Sequence, residues 1–136
     1  MHIKVSVLLL VAVLSACSLT PREAPTEDVD KAAVLFFERL KAGDYEKIYD
    51  DSAKAFQAKT QKQSVIESLK QMAAMGTPSS PDRLQMTFNK EEDGKRTADP
   101  TYAVRFDKVS ASVHFRFMDE GGEWKLAAFE LKQRGG

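Results

Sequence analysis

The residues whose types could do chemistry are few, and two groups of them stand out. Cys17 is the only cysteine of the 136 residues, so no disulfide within the chain can form and its thiol is open to other chemistry. Asp50 and Asp51 directly follow Tyr49, and Tyr45 lies one helical turn earlier. An acid beside a phenol could transfer protons to and from a substrate, so the candidate catalytic residues are Asp50, Asp51 and Tyr49. The alternative is that the two aspartates only end a helix, where this residue type is common.

His114, the only histidine beyond residue 2, does not complete such a set. It alternates with Val113 on a strand pattern, which places it on the face away from the core. Its neighbours on that face, Ser112 and Arg116, do not form a nucleophile and base pair. A zinc site needs three or four converging ligands, so the sequence predicts no metal and no cofactor.

The start of the chain is typical of an export signal. Residues 5–14 are apolar except for Ser6, and Lys4 precedes them. Ten apolar residues are too few to span a bilayer, which takes about 20 residues of helix. A basic start, a short apolar core and small residues after it are the pattern of a secretory signal peptide.

The small residues lead directly into the cysteine. Leu14-Ser15-Ala16-Cys17 resembles the lipobox of bacterial lipoprotein precursors. The resemblance implies a diacylglycerol joined to the Cys17 sulfur by a thioether, cleavage between Ala16 and Cys17, and a further fatty acid such as palmitate on the new amino group. Two or more acyl chains hold a protein on a membrane, whereas one binds weakly. The alternative is an ordinary signal peptide that is cleaved beside a cysteine and leaves a soluble exported protein.

The residue after the cysteine indicates the destination. Ser18 stands where an aspartate would retain such proteins in the inner membrane of bacteria with two membranes. The resemblance therefore implies the outer membrane, facing the periplasm. In a source with one membrane, the same anchor implies the outer face of the plasma membrane.

Composition supports one domain without nucleic-acid binding. The chain has 20 basic and 20 acidic residues, with no clustered basic face of the kind that nucleic acids require. The predicted organisation is a signal peptide over 1–16, a proline-containing tether over 17–27 and a single domain over 28–134.

The first half of the domain has helical periodicity. An apolar stripe predicts a helix that is capped by Thr26 and ends at Gly43, and a short second helix follows from Asp44. Thr60 and Gln63 form a capping-box pattern for a third helix that ends at Gly76. The stripe of the first helix consists of Val29, Ala33, Phe36, Phe37 and Leu40.

After Pro81 the period changes to two. Apolar residues alternate with polar ones over about 84–88, 102–106, 111–118 and 124–133, which predicts four antiparallel strands with one buried face. A β-bulge at Ala127-Ala128 would bring Trp124, Leu126, Phe129 and Leu131 to one side. Pro100 suits an edge or a strand start. Helices followed by strands predict an α+β fold with the helices on one face of a curved sheet.

Two stretches resemble the nuclear-transport-factor-2-like (SnoaL-like) superfamily, particularly its small bacterial lipoproteins. One is 36–45, a helix that ends in Ala-Gly-Asp-Tyr, and the other is 122–131, which begins Gly-Glu-Trp-Lys. The resemblance implies a cone-shaped domain, with an acid and a tyrosine at the mouth in its enzymes and frequent pairing through the sheet. A cystatin-like fold is the alternative architecture.

These observations predict a non-enzymatic binding module for an envelope partner protein or a small ligand, held on the membrane by its lipid. One alternative is a hydrolase or isomerase that uses the aspartates with Tyr49, and another is a structural part of an envelope complex. A homodimer through the sheet is a further expectation from the resemblance. If the cone is incompletely filled, its aromatic residues would line an apolar pocket. They are Phe36, Tyr45, Tyr102, Phe115 and Trp124.

Overall fold

The chain folds into four helices followed by four strands, as seen in a computed structural model that describes residues 25–134. The signal sequence and Cys17 therefore lie outside the described residues. The helices are α1 (Thr26–Ala42), α2 (Tyr45–Asp50), α3 (Lys54–Lys59) and α4 (Lys62–Ala73). The strands are β1 (Asp82–Lys90), β2 (Arg96–Phe106), β3 (Val109–Glu120) and β4 (Glu123–Gln133).

The strands form one sheet in the order β1-β2-β3-β4, and every neighbouring pair is antiparallel. The helices pack on one face of this sheet, where Phe36 and Phe37 of α1 contact the ring of Phe115 on β3. The predicted α+β class, with helices on one face of a four-stranded antiparallel sheet, is confirmed. Within 25–134, no helix combines the length and the apolar character needed to cross a bilayer.

The predicted apolar stripe of α1 is buried along its whole length, from Val29 to Leu40. The helix ends at Gly43, whose φ of +78° is left-handed. Its N–H donates to the Leu40 carbonyl at 3.2 Å, and the N–H of Asp44 donates to Arg39 at 2.9 Å. This is the glycine stop expected from the sequence. At the other end, Pro25 occupies the cap position predicted for Thr26, which is the first helical residue.

The predicted bulge in β4 is present. Arg116 pairs with Ala128 and the next residue, Phe117, pairs with Leu126, so Ala127 is the extra residue. The insertion returns Leu126 and Phe129 to the same side of the strand, and both pack against the core. The outer edge of β4 is partly covered, because the N–H of Ala53 donates to the Leu126 carbonyl at 2.8 Å.

The capping box predicted at Thr60 is wrong. A helix that the periodicity did not indicate, α3, precedes it, and the Thr60 hydroxyl donates back to the Phe56 carbonyl at 2.7 Å. α4 instead begins after Gln61, and it ends at Ala73, before the predicted stop at Gly76.

Two strand details also differ from the prediction. Pro100 lies inside β2, a central strand, where it pairs with Met86 and falls in a gap of the β2–β3 register. A proline is tolerated there because it lacks only a donor that the ladder does not use at that point. Leu84 is 50% exposed, because a register shift between Arg83 and Gln85 breaks the alternation of β1.

A buried polar contact joins α1 to the sheet. The ring of Tyr102 is 1% exposed, and its hydroxyl donates to Oδ1 of Asp30 at 2.7 Å. The other oxygen of Asp30 pairs with Arg83 at 2.7 Å. Burial, and then the hydrogen bond to Asp30, raise the pKa of Tyr102 well above its usual range.

Tyr102→Phe should lower the free energy of unfolding by about 1–3 kcal/mol at neutral pH, because a hydrogen bond to a carboxylate is lost. The contribution of Tyr102 is present below about pH 10, where an unfolded tyrosine keeps its proton. It falls at higher pH, since the unfolded chain then ionises while the folded one does not. Urea denaturation of both chains at several pH values measures this. If the free energies of unfolding of the wild type and the Tyr102→Phe chain fell equally with pH above pH 10, the prediction would be contradicted.

Candidate functional site

The candidate site that includes a predicted acid is a cleft of about 330 Å³ between α1, α2 and the start of β4, here called the mouth cleft. Seven of its eleven lining residues are apolar, and the other four are charged, two of each sign: Arg39, Lys125, Asp51 and Glu123. The residues that line it are Ala32, Leu35, Phe36, Arg39, Ile48, Asp51, Phe117, Glu123, Trp124, Lys125 and Leu126.

Helical and strand periodicity bring the walls together. Ala32, Phe36 and Arg39 follow one another at spacings of four and three, which places them on one side of α1. Trp124 and Leu126 are two apart on β4 and share the face that looks toward the helices. The cleft is therefore a gap between the apolar side of one helix and the first residues of an outer strand.

An ion pair in the lining of this cleft joins α1 to the residue that follows α2. Nη2 of Arg39 lies 2.8 Å from Oδ2 of Asp51. The arginine side chain is 22% exposed and the aspartate 50%, so the cation is the more recessed partner. The sequence prediction included Asp51 but missed Arg39, although its spacing from Phe36 could have indicated it.

Trp124 forms the end wall of the cleft. Its ring meets Phe88 of β1 edge-on, with centroids 6.0 Å apart, so the two outer strands approach each other here. The guanidinium of Arg96 lies over the indole, 5.6 Å from the ring centroid, and is held by Asp119. One aromatic face is thus already covered by a cation.

The predicted acid and tyrosine set is divided among different partners. Asp51 lies in the cleft with Arg39, whereas Asp50 accepts a hydrogen bond from Nζ of Lys62 at 3.0 Å, which raises the pKa of that lysine. The Tyr49 hydroxyl donates to the Gln57 carbonyl at 3.3 Å.

The predicted pocket-lining residues also separate. Phe36 and Trp124 line the mouth cleft. Tyr45 borders a different groove, beside Gly76 at the C-terminal end of α1. Tyr102 and Phe115 are core residues with 1% and 0% exposure, because helix side chains cover that part of the sheet.

His114 lies on the face of the sheet away from the helices, in a polar network. Its Nδ1 is 2.9 Å from the Thr101 hydroxyl, and its Nε2 is 3.7 Å from Asp99. Asp99 also accepts from Nε of Arg116 at 2.9 Å and from Asn89 at 3.3 Å. Within residues 25–134, no three histidine, cysteine, aspartate or glutamate side chains are grouped so that they could hold a metal ion.

Comparison with known proteins adds a likeness in fold. No protein-family model matches the sequence, and no curated protein matches it. Among solved structures, Aln2 from a Streptomyces species aligns with 82% of this chain and 93% of its own, at 12% identity and a TM-score of 0.52. The likeness is one of fold alone. It is consistent with the cone-shaped nuclear-transport-factor-2-like architecture predicted from the sequence.

Proposed function

We propose that this protein is a lipid-anchored lipoprotein of the bacterial cell envelope, and that its α+β domain is a non-enzymatic binding module. The ligand, a small molecule or a segment of a partner protein, occupies the mouth cleft. The observation that carries the binding role is the composition of this cleft. It combines apolar and aromatic side chains with four charged ones, and its two carboxylates are both paired, Asp51 with Arg39 and Glu123 with Lys125.

The same pairing argues against acid and base catalysis in the cleft. A general base needs a carboxylate that is free to take a proton from the substrate. Asp51 is paired with the guanidinium of Arg39, Glu123 is paired with Nζ of Lys125, and the phenol of Tyr49 donates to a backbone carbonyl. Apolar walls with a few polar groups at the rim are the usual composition of a ligand pocket.

The lipobox supports the anchor. Cleavage before Cys17 leaves the lipidated residue nine positions before α1, so the domain would follow the membrane surface closely. In a bacterium with two membranes, Ser18 favours the outer membrane and its periplasmic side.

Cys17→Ser should abolish incorporation of labelled palmitate and move the protein from the membrane fraction to the soluble fraction, because the acylated sulfur is lost. Ser18→Ala, one residue away, is the matched control and should keep both label and membrane attachment. Labelling of the Cys17→Ser chain at the wild-type level would exclude the proposed anchor.

A further inference from the structure

We infer that the ligand of the mouth cleft is an alkyl carboxylate, the anion of a medium-chain fatty acid, with its tail on the apolar wall and its carboxylate on Arg39. This inference rests on the proposed binding role and adds the chemical class of the ligand.

The volume and the wall fit one alkyl chain. At about 330 Å³, the cleft lies at the lower end of the range for small-ligand pockets, which suits a single chain better than a two-chain lipid. Phe36, Trp124 and Leu126 are among its apolar lining residues. A flexible methylene chain can follow such a surface, whereas a polar sugar or nucleotide would lose its hydrogen bonds with water there.

Arg39 fits the head group. A guanidinium carries five N–H donors and binds carboxylates with two of them. Within residues 25–134, its one ion pair is that of Nη2 with Asp51. It is recessed, and it follows Phe36 by about one turn of α1, so it lies where a carboxylate would end if the tail covered that ring.

The same cleft disfavours a cationic amphiphile. The two acids of the cleft that would attract a cation are already paired, Asp51 with Arg39 at 2.8 Å and Glu123 with Lys125 at 2.9 Å. The indole of Trp124, where an ammonium group would stack, carries the guanidinium of Arg96. Because Asp51 is the more exposed member of its pair, it can swing toward water when an incoming carboxylate takes its place on Arg39.

The test is a binding titration on the unlipidated mature chain, residues 17–136, read by tryptophan fluorescence. Trp124 is the only tryptophan, so the signal comes from the cleft itself. The probes are octanoate, decanoate, decanol and decyltrimethylammonium, each below its aggregation concentration. Decanoate should bind about 15-fold more tightly than octanoate, since each buried methylene contributes about fourfold. It should also bind at least about tenfold more tightly than decanol.

Two substitutions identify the head-group contact. Arg39→Gln should weaken decanoate binding about tenfold or more and leave decanol binding unchanged, because it removes only the charge-assisted contact. Asp51→Asn should tighten decanoate binding, since it removes the acid that competes for Arg39, and loss of folding cannot produce this gain. Arg116→Gln is the matched control: it breaks a 2.9 Å arginine–aspartate contact on the other face of the sheet and should change neither affinity.

Other results would overturn the inference. Equal affinities for decanoate and decanol, or tightest binding of decyltrimethylammonium, would exclude the carboxylate and leave the cleft as a binding site. A weaker rather than tighter Asp51→Asn chain would exclude Arg39 as the anion contact. If none of the four probes gave a saturable change, the inference would fail, while the anchor would still be decided by the Cys17→Ser labelling.

Discussion

Replacing Phe115 by alanine is expected to lower the free energy of unfolding by about 3–5 kcal/mol. The ring is fully buried, and it is where α1 meets the sheet. Its centroid lies 4.9 Å from that of Phe36, 5.7 Å from Phe37, 5.9 Å from Tyr102 and 5.2 Å from Phe117. Four rings cannot close on the space left behind without losing their own contacts, so a cavity remains. Small domains have about 5–15 kcal/mol in total, so this one change removes a large part of the stability.

Urea denaturation of the mature chain measures the effect. Phe88→Ala is the matched control, because Phe88 is an aromatic residue of the same sheet that is only partly buried and contacts Trp124. Phe88→Ala should lower the free energy of unfolding by less than half as much as Phe115→Ala. If the two substitutions cost the same, Phe115 is not the centre of the core.

Gly76→Ala is the second change with a large expected effect, about 3–5 kcal/mol. The φ of Gly76 is +120°, outside the left-handed region that other residues tolerate. A Cβ placed there would lie 2.1 Å from Oδ2 of Asp107, far inside contact distance. Asp107 would have to move and give up its hydrogen bond from the N–H of Thr77, which is 3.1 Å long. Backbone strain and the lost bond each contribute about 1–3 kcal/mol.

Two comparisons separate these causes by thermal or urea unfolding. Gly121→Ala is the matched control, since Gly121 also has a positive φ, +62°, but an added Cβ meets nothing within 4 Å. It should cost about 1–2 kcal/mol. In an Asp107→Gly background, Gly76→Ala should cost less than in the wild type, because the clashing side chain is absent. Equal costs in both backgrounds would show that the contact with Asp107 does not matter.

The parts of the fold with strong periodicity were predictable. α1 carries five buried residues on one stripe and a glycine stop at Gly43, so pattern and cap agree. The bulge at Ala127 was predictable because Trp124 and Phe129 are an odd number of residues apart, so they would face opposite sides of a regular strand. One inserted residue between them places both side chains on the buried face.

The parts governed by distant contacts were not predictable. α3 has six residues and one buried side chain, Phe56, too few for a recognisable stripe. Its presence redirected the Thr60 hydroxyl from a predicted cap to the Phe56 carbonyl. The exposure of Leu84 depends on a register shift in β1 that alternation alone does not indicate.

The site was predictable in part for the same reason. The sequence places Asp51 next to the Tyr49-Asp50 pair, but in the folded chain its partner is Arg39, twelve positions earlier, on α1. A sequence shows adjacency along the chain, while this ion pair arises from the turn between α1 and α2. Phe36 and Trp124, in contrast, were predicted to line a pocket, and both line the cleft.

The register shift in β1 and the hydrogen bond from Ala53 to β4 affect how the protein aggregates at high concentration. A straight outer strand can recruit a strand from a neighbouring molecule and begin a fibre. In β1 the register shift at Leu84 and the charges of Asp82, Arg83 and Lys90 hinder the pairing of such a strand. On the opposite border, β4, the Leu126 carbonyl already accepts a hydrogen bond from the N–H of Ala53. Both borders thus carry features that hinder growth by strand addition, which favours the single molecule over strand-paired aggregates at high concentration.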